Sequence, residues 1–104
     1  MSVIQGNTLL SGNPSFNPIK PTRAIRTISE TMAIIIKCES GGKHDNVWGK
    51  AGEYGIAQFK SQTFYSFARQ ARLQNADWKN KEDQLYLLEW ALKNNLGFHW
   101  TCFK

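Results

Sequence analysis

Apolar residues first become periodic at Ile25: Ile25, Ile28, Met32, Ile35 and Ile36 recur at the three- and four-residue spacing of a helix face. Thr22, beside Pro21, is a candidate N-cap and Ser29 a later alternative start, while Gly41-Gly42 ends the helix because glycine accepts left-handed backbone geometry. A second helix is expected over Ser61 to Leu73, with Phe64, Phe67, Ala68 and Ala71 on one face. The third runs from Lys81 to Leu96, where Leu85, Leu88, Leu92 and Leu96 follow helical spacing, Tyr86 and Trp90 flank them, and Gly97 ends the element. Between Gly42 and Phe59, Gly49, Gly52 and Gly55 break up the β-formers Val47, Trp48, Tyr54 and Ile56. That mixture predicts a loop with a short, irregular β-hairpin region, and so an α+β fold that is predominantly α.

Residues 1–21 lack this periodicity and carry turn signals such as Gly12-Asn13-Pro14 and Asn17-Pro18. They read as a flexible lead-in or linker, leaving 22–104 as one domain, as a chain of 104 residues allows. Hydrophobic residues at 41% permit a real core, and Trp78, Trp90 and Trp100 place much of the aromatic content in the last third. Flat apolar rings also line sugar-binding clefts, since a pyranose face packs well on them. No run approaches the roughly 18 apolar residues that span a bilayer, so no membrane span is expected. Met1 to Leu10 has neither a basic start nor an apolar stretch of the secretory type, so no signal peptide is recognisable.

The net charge of +5 favours association with polyanions, either nucleic acid or an acidic cell wall. The cations are scattered, at Lys43, Lys50, Lys60, Arg69, Arg72, Lys79, Lys81 and Lys93, and no nucleic-acid-binding motif accompanies them. Nucleic acid is therefore not the expected partner. His44 and His99 have no ligand at metal-binding spacing, so no metal is expected. Cys38 adjoins an apolar run where a thiol behaves as a hydrophobe, which argues against a thiol nucleophile.

The most informative segment is Cys38-Glu39-Ser40-Gly41-Gly42. Glu39 falls in the last turn of an apolar helix, where the negative end of the macrodipole disfavours a carboxylate. Such a position is expected to raise the carboxyl pKa, as protonation of a glycosidic oxygen requires. Gln58 follows within Tyr54-Gly55-Ile56-Ala57-Gln58-Phe59, and its amide offers a donor and an acceptor suited to an N-acetyl or hydroxyl group.

Glu-Ser-Gly-Gly at a helix end, Tyr-Gly-x-x-Gln-Phe, Ser-x-Thr-Phe, Glu82-Asp83-Gln84-Leu85 and the closing Trp100-Thr101-Cys102 occur in one order. Together they resemble the lysozyme-like lytic transglycosylases, most nearly the catalytic domains of the resuscitation-promoting factors, over about Ile28 to Cys102. The resemblance implies a small lysozyme-like domain with a cleft between the helices and the hairpin region. It implies peptidoglycan glycan strands as substrate, Glu39 as the single acid and then base, and attack by the 6-hydroxyl of N-acetylmuramic acid to give a 1,6-anhydro product. Gln58 and Thr63 match glycan-contacting positions, and Tyr54 and Trp100 are placed near the cleft wall. It also implies a Cys38–Cys102 disulfide and hence an oxidising setting: extracellular, in the cell envelope, or phage-associated. No cofactor is implied, and a monomer is expected.

Asp45 and Glu53 lie in the loop after Glu39. Either one facing Glu39 as nucleophile or base would make the protein a hydrolase, a muramidase, instead. The Ala-Tyr-Asn signature of many larger lytic transglycosylases is missing, as it is from the smaller ones. A wall-binding module that has lost catalysis is the rival from another class, but such a module has no need of the acid that Glu39 retains.

Overall fold

The computed structural model describes residues 26–103. The lead-in over 1–21, with Thr22 and Ile25, lies outside them. Three helices follow in order: α1 (Ile28–Ser40), α2 (Ser61–Ala71) and α3 (Lys81–Lys93), then a short 3-10 turn over Gly97–His99. The fold is predominantly helical.

Helix α1 starts at neither Thr22 nor Ser29. Thr27 is its N-cap, accepting from the Glu30 amide at 3.0 Å while the Glu30 carboxylate accepts from the Thr27 amide at 2.9 Å. This reciprocal pair satisfies two donors that a helix start otherwise leaves open. The other end matches expectation: Gly41 is left-handed at φ 68° and its amide donates to the Lys37 carbonyl.

Helix α2 stops before Leu73, because Arg72 turns left-handed at φ 60° and the Leu73 amide reaches back to the Ala68 carbonyl. Helix α3 stops before Leu96, because Asn95 is left-handed and the Leu96 amide returns to the Ala91 carbonyl. The buried face of α3 is also rotated from the expected leucine row. Gln84, Leu87, Leu88, Ala91 and Leu92 are buried, whereas Leu85 is half-buried and Tyr86 exposed.

Helix α3 packs against both α1 and α2. Ile35 from α1, Phe64, Phe67 and Ala68 from α2, and the buried apolar residues of α3 meet Ala57, Phe59 and Trp100 in one core. Phe64, with no exposed surface, contributes about 2–3 kcal/mol by its burial alone. Trp78 and Trp90 pack against that core half-buried.

The hairpin region is reduced to two isolated antiparallel bridges, Trp48 with Tyr54 and Tyr54 with Phe59, and no continuous strand occurs among the described residues. Left-handed residues at Asn46, Gly52, Gly55 and Gln58 interrupt the backbone before a ladder can form. Side chains from elsewhere replace the ladder. His44 Nδ1 accepts from the Ile56 amide at 2.9 Å, and Ser40 donates to the Ile56 carbonyl at 2.8 Å. The Trp100 and Trp78 indoles donate to the carbonyls of Ala57 and Phe59, at 2.7 and 2.8 Å. From α3, Gln84 accepts from the Ala57 amide at 2.9 Å and donates to the Tyr54 and Trp78 carbonyls, both at 2.8 Å. Buried backbone polar groups must be paired, and here five side chains do what a sheet would otherwise do.

Candidate functional site

The end of α1, Glu53, the stretch Gln58 to Lys60, the start of α2 and the stretch His99 to Thr101 surround one cavity of about 210 Å³. Its lining includes Glu39, Gln58, Thr63, Trp100 and Glu53, all of them candidates from the sequence. Phe59, Lys60, His99 and Thr101 complete it. Tyr54 does not line it, contrary to expectation. Its ring is buried among Trp48, His44 and Trp78, and its hydroxyl accepts from the Asn46 amide at 3.1 Å. Asp45 is exposed and is not part of the cavity either.

Glu39 is half-buried in the last turn of α1. Its Oε2 accepts from the Thr101 hydroxyl at 3.4 Å and from the Cys102 amide at 3.3 Å, and no described residue hydrogen-bonds to Oε1. One oxygen is tethered, the other has no hydrogen-bond partner among the described residues, and the residue lines the cavity. Next to the tether lies a Cys38–Cys102 disulfide with Cα atoms 6.0 Å apart, an ordinary separation for such a bond. Glu39 follows one cysteine and Thr101 precedes the other, so the bond brings the carboxylate and its hydroxyl donor together. The motif serine has a scaffolding role: Ser40 joins the end of α1 to the Ile56 carbonyl and caps the Ile36 carbonyl.

Gln58 is held as firmly. It is left-handed at φ 51°, and its Nε2 donates to the carbonyls of Val47 at 3.1 Å and Gly55 at 2.9 Å. Both partners are acceptors, which fixes the amide's orientation and leaves Oε1 as an acceptor without a described partner. Two features make room for this arrangement. At Gly49 a Cβ would run into the oxygens of Glu53 and Gln58. At Gly55, left-handed at φ 88°, a Cβ would lie 2.6 Å from Gln84 Nε2 and 2.7 Å from His44 Cε1.

Thr63 adds a hydroxyl from the first turn of α2, and Lys60, the N-cap residue of α2, adds the one lysine of the lining. Trp100 is buried behind the cavity, with its indole spent on Ala57, so it presents ring surface rather than a free donor. Among the described residues, no group of three or more His, Cys, Asp or Glu is placed to hold a metal ion. The cavity therefore offers one tethered carboxylate with a free oxygen, a second carboxylate, one fixed amide acceptor, a hydroxyl, a cation and aromatic surface.

Of the lining, Phe59, Lys60, His99 and Thr101 were not among the site residues expected from the sequence. Thr101 was within reach, because pairing Cys38 with Cys102 places their neighbours 39 and 101 side by side. Lys60 and His99 carried no such signal. No helix among the described residues is long and apolar enough to cross a membrane. No known protein family, curated protein or solved structure matches the chain.

Proposed function

We propose that this chain is a lysozyme-like glycosidase that cleaves the β-1,4 bond between N-acetylmuramic acid and N-acetylglucosamine in peptidoglycan, working as a lytic transglycosylase. The observation that carries the reading is Glu39: a helix-end carboxylate with one oxygen tethered and the other without a hydrogen-bond partner among the described residues, in one cavity with Gln58 and Thr63. A tethered carboxyl with one free oxygen suits a group that must give and then take a proton at a fixed point.

Protonated Glu39 gives its proton to the glycosidic oxygen as the C1–O bond breaks and the N-acetylglucosamine end leaves as an alcohol. Glu39, now a carboxylate, takes the proton of the muramyl 6-hydroxyl as that oxygen attacks C1 and closes the 1,6-anhydro ring. Glu39 ends protonated and no water is consumed. Gln58 Oε1 accepts from an N–H or hydroxyl of the bound sugar, and Thr63 offers a hydroxyl beside it. The disulfide fits an oxidising setting, and we place the protein outside the cytosol, in the cell envelope or with a phage, acting as a monomer.

Glu53 supports a second reading, because it lines the same cavity as Glu39. A second carboxylate there could direct a water at C1 and make the enzyme a muramidase. Digestion of purified peptidoglycan by wild type and Glu39→Gln, with products identified by mass spectrometry, separates the readings. Anhydro-muropeptides from the wild type alone are the expected result. Reducing ends would replace the transglycosylase by the hydrolase and turn attention to Glu53. Binding to the wall by both proteins with no release from either would leave a wall-binding module.

A further inference from the structure

Beside the cavity stands a pair of rings that its walls do not include in full. His99 lines the cavity and packs edge-on against the buried Phe67, with ring centroids 5.1 Å apart. On His99 lies Phe98, stacked at 4.6 Å with the two planes inclined by only 27°. Phe98 is 70% exposed, more than any other large hydrophobic residue described as exposed. Exposure on that scale costs free energy in water. Both rings sit on the tight Gly97–His99 turn, whose ends are fixed: the Trp100 amide donates to the Gly97 carbonyl at 2.9 Å, and Cys102 is covalently joined to α1. The exposed ring is thus held by an ordered turn rather than carried on a loose tail.

We propose that the Phe98–His99 stack is a carbohydrate platform, a further pyranose subsite outside the cavity that makes the protein a binder of polymeric glycan rather than of a disaccharide. The inference rests on reading the cavity as a glycan site. Its own grounds are continuity and chemistry. One ring of the stack lines the cavity and the other, stacked on it, is exposed to solvent, so a linear ligand that leaves the cavity over His99 has an exposed ring beside it. A pyranose presents one face of axial C–H groups, which a flat exposed ring covers without needing a hydrogen bond. A ring exposed at the end of the wall therefore favours length in the ligand.

The test compares wild type, Phe98→Ala and Phe98→Trp on long uncrosslinked peptidoglycan glycan strands and on a tetrasaccharide of the same repeat, in turnover and in equilibrium binding. Phe98 is 70% exposed, so its substitution is expected to leave the fold intact, and thermal unfolding at an unchanged midpoint checks this for each variant. For long strands, Phe98→Ala is expected to weaken binding and raise KM about fivefold to tenfold with kcat unchanged, the scale of one aromatic stack. Phe98→Trp is expected to restore both, and the tetrasaccharide is expected to be indifferent to all three proteins. Equal behaviour of wild type and Phe98→Ala on long strands overturns the platform while leaving a cleaving wild type as a glycosidase. An equal loss on both substrates overturns it too, because it would make Phe98 part of the inner site. A wild type that binds strands through Phe98 but never cleaves them ends the enzymatic reading alone. One that neither binds nor cleaves ends both.

Discussion

At position 49 a methyl group would occupy the space that the Glu53 carboxylate and the Gln58 amide oxygen now share. Neither side chain is free to step aside without loss. Gln58 is held by two backbone carbonyls, and Glu53 Oε1 accepts from the Ala51 amide at 3.0 Å. Both are still the far ends of flexible side chains, so the backbone need not move. Gly49→Ala is therefore expected to cost the fold less than about 1 kcal/mol in chemical denaturation, as substitutions outside the core usually do. The same change should lower peptidoglycan cleavage about tenfold or more, since a displacement of about 1 Å in a positioned group is enough for a large loss of rate. A large stability loss with proportionate loss of activity would show instead that Gly49 matters to the fold and not to the cavity.

The helices themselves were legible from the spacing of apolar residues, and the starts of α2 at Ser61 and α3 at Lys81 fall where the pattern puts them. What the pattern did not yield has physical causes. Helix ends are set by single left-handed residues, Arg72 and Asn95, and neither is the glycine that announces such a stop. The start of α1 was readable in principle, because Thr27-Ile28-Ser29-Glu30 has the threonine and glutamate spacing of a reciprocal cap. Gln84 escaped notice because hydrophobic periodicity has no place for a polar residue on a buried face. At the candidate site, Glu39, Gln58, Thr63 and Trp100 were legible from motif order, whereas the inward turn of Tyr54 follows from an aromatic cluster that only the folded chain assembles.

That same Gln84 decides how α3 supports the irregular segment. Gln84→Leu keeps volume and apolar packing but leaves the Ala57 amide without its partner and removes a donor from the Tyr54 and Trp78 carbonyls. Orphaned buried groups cost about 1–3 kcal/mol each, so a destabilisation of about 3–5 kcal/mol is expected in urea unfolding, with an unchanged slope. A cost under about 1 kcal/mol would mean that the segment finds other partners.

For the molecule as a whole, one covalent bond links the first helix to the last residues described. It closes a sequence separation of 64, for which the chain-entropy model gives about 4 kcal/mol of stabilisation. Part of the cavity wall, His99 to Thr101, lies just before Cys102, and two donors to Glu39 come from Thr101 and Cys102. Reduction, or Cys38→Ser with Cys102→Ser, is expected to lower the thermal midpoint and to depress cleavage well before the helical signal in circular dichroism is lost. Simultaneous loss of both signals would show that the bond supports the fold alone.

The disulfide also sets an order of assembly. Until Cys38 and Cys102 are joined, α1 has no covalent hold on the stretch His99 to Thr101. The wall is tied down only after the chain meets an oxidant. Folding of the chain and closure of that link are separate chemical events, and the second needs an oxidant that the first does not.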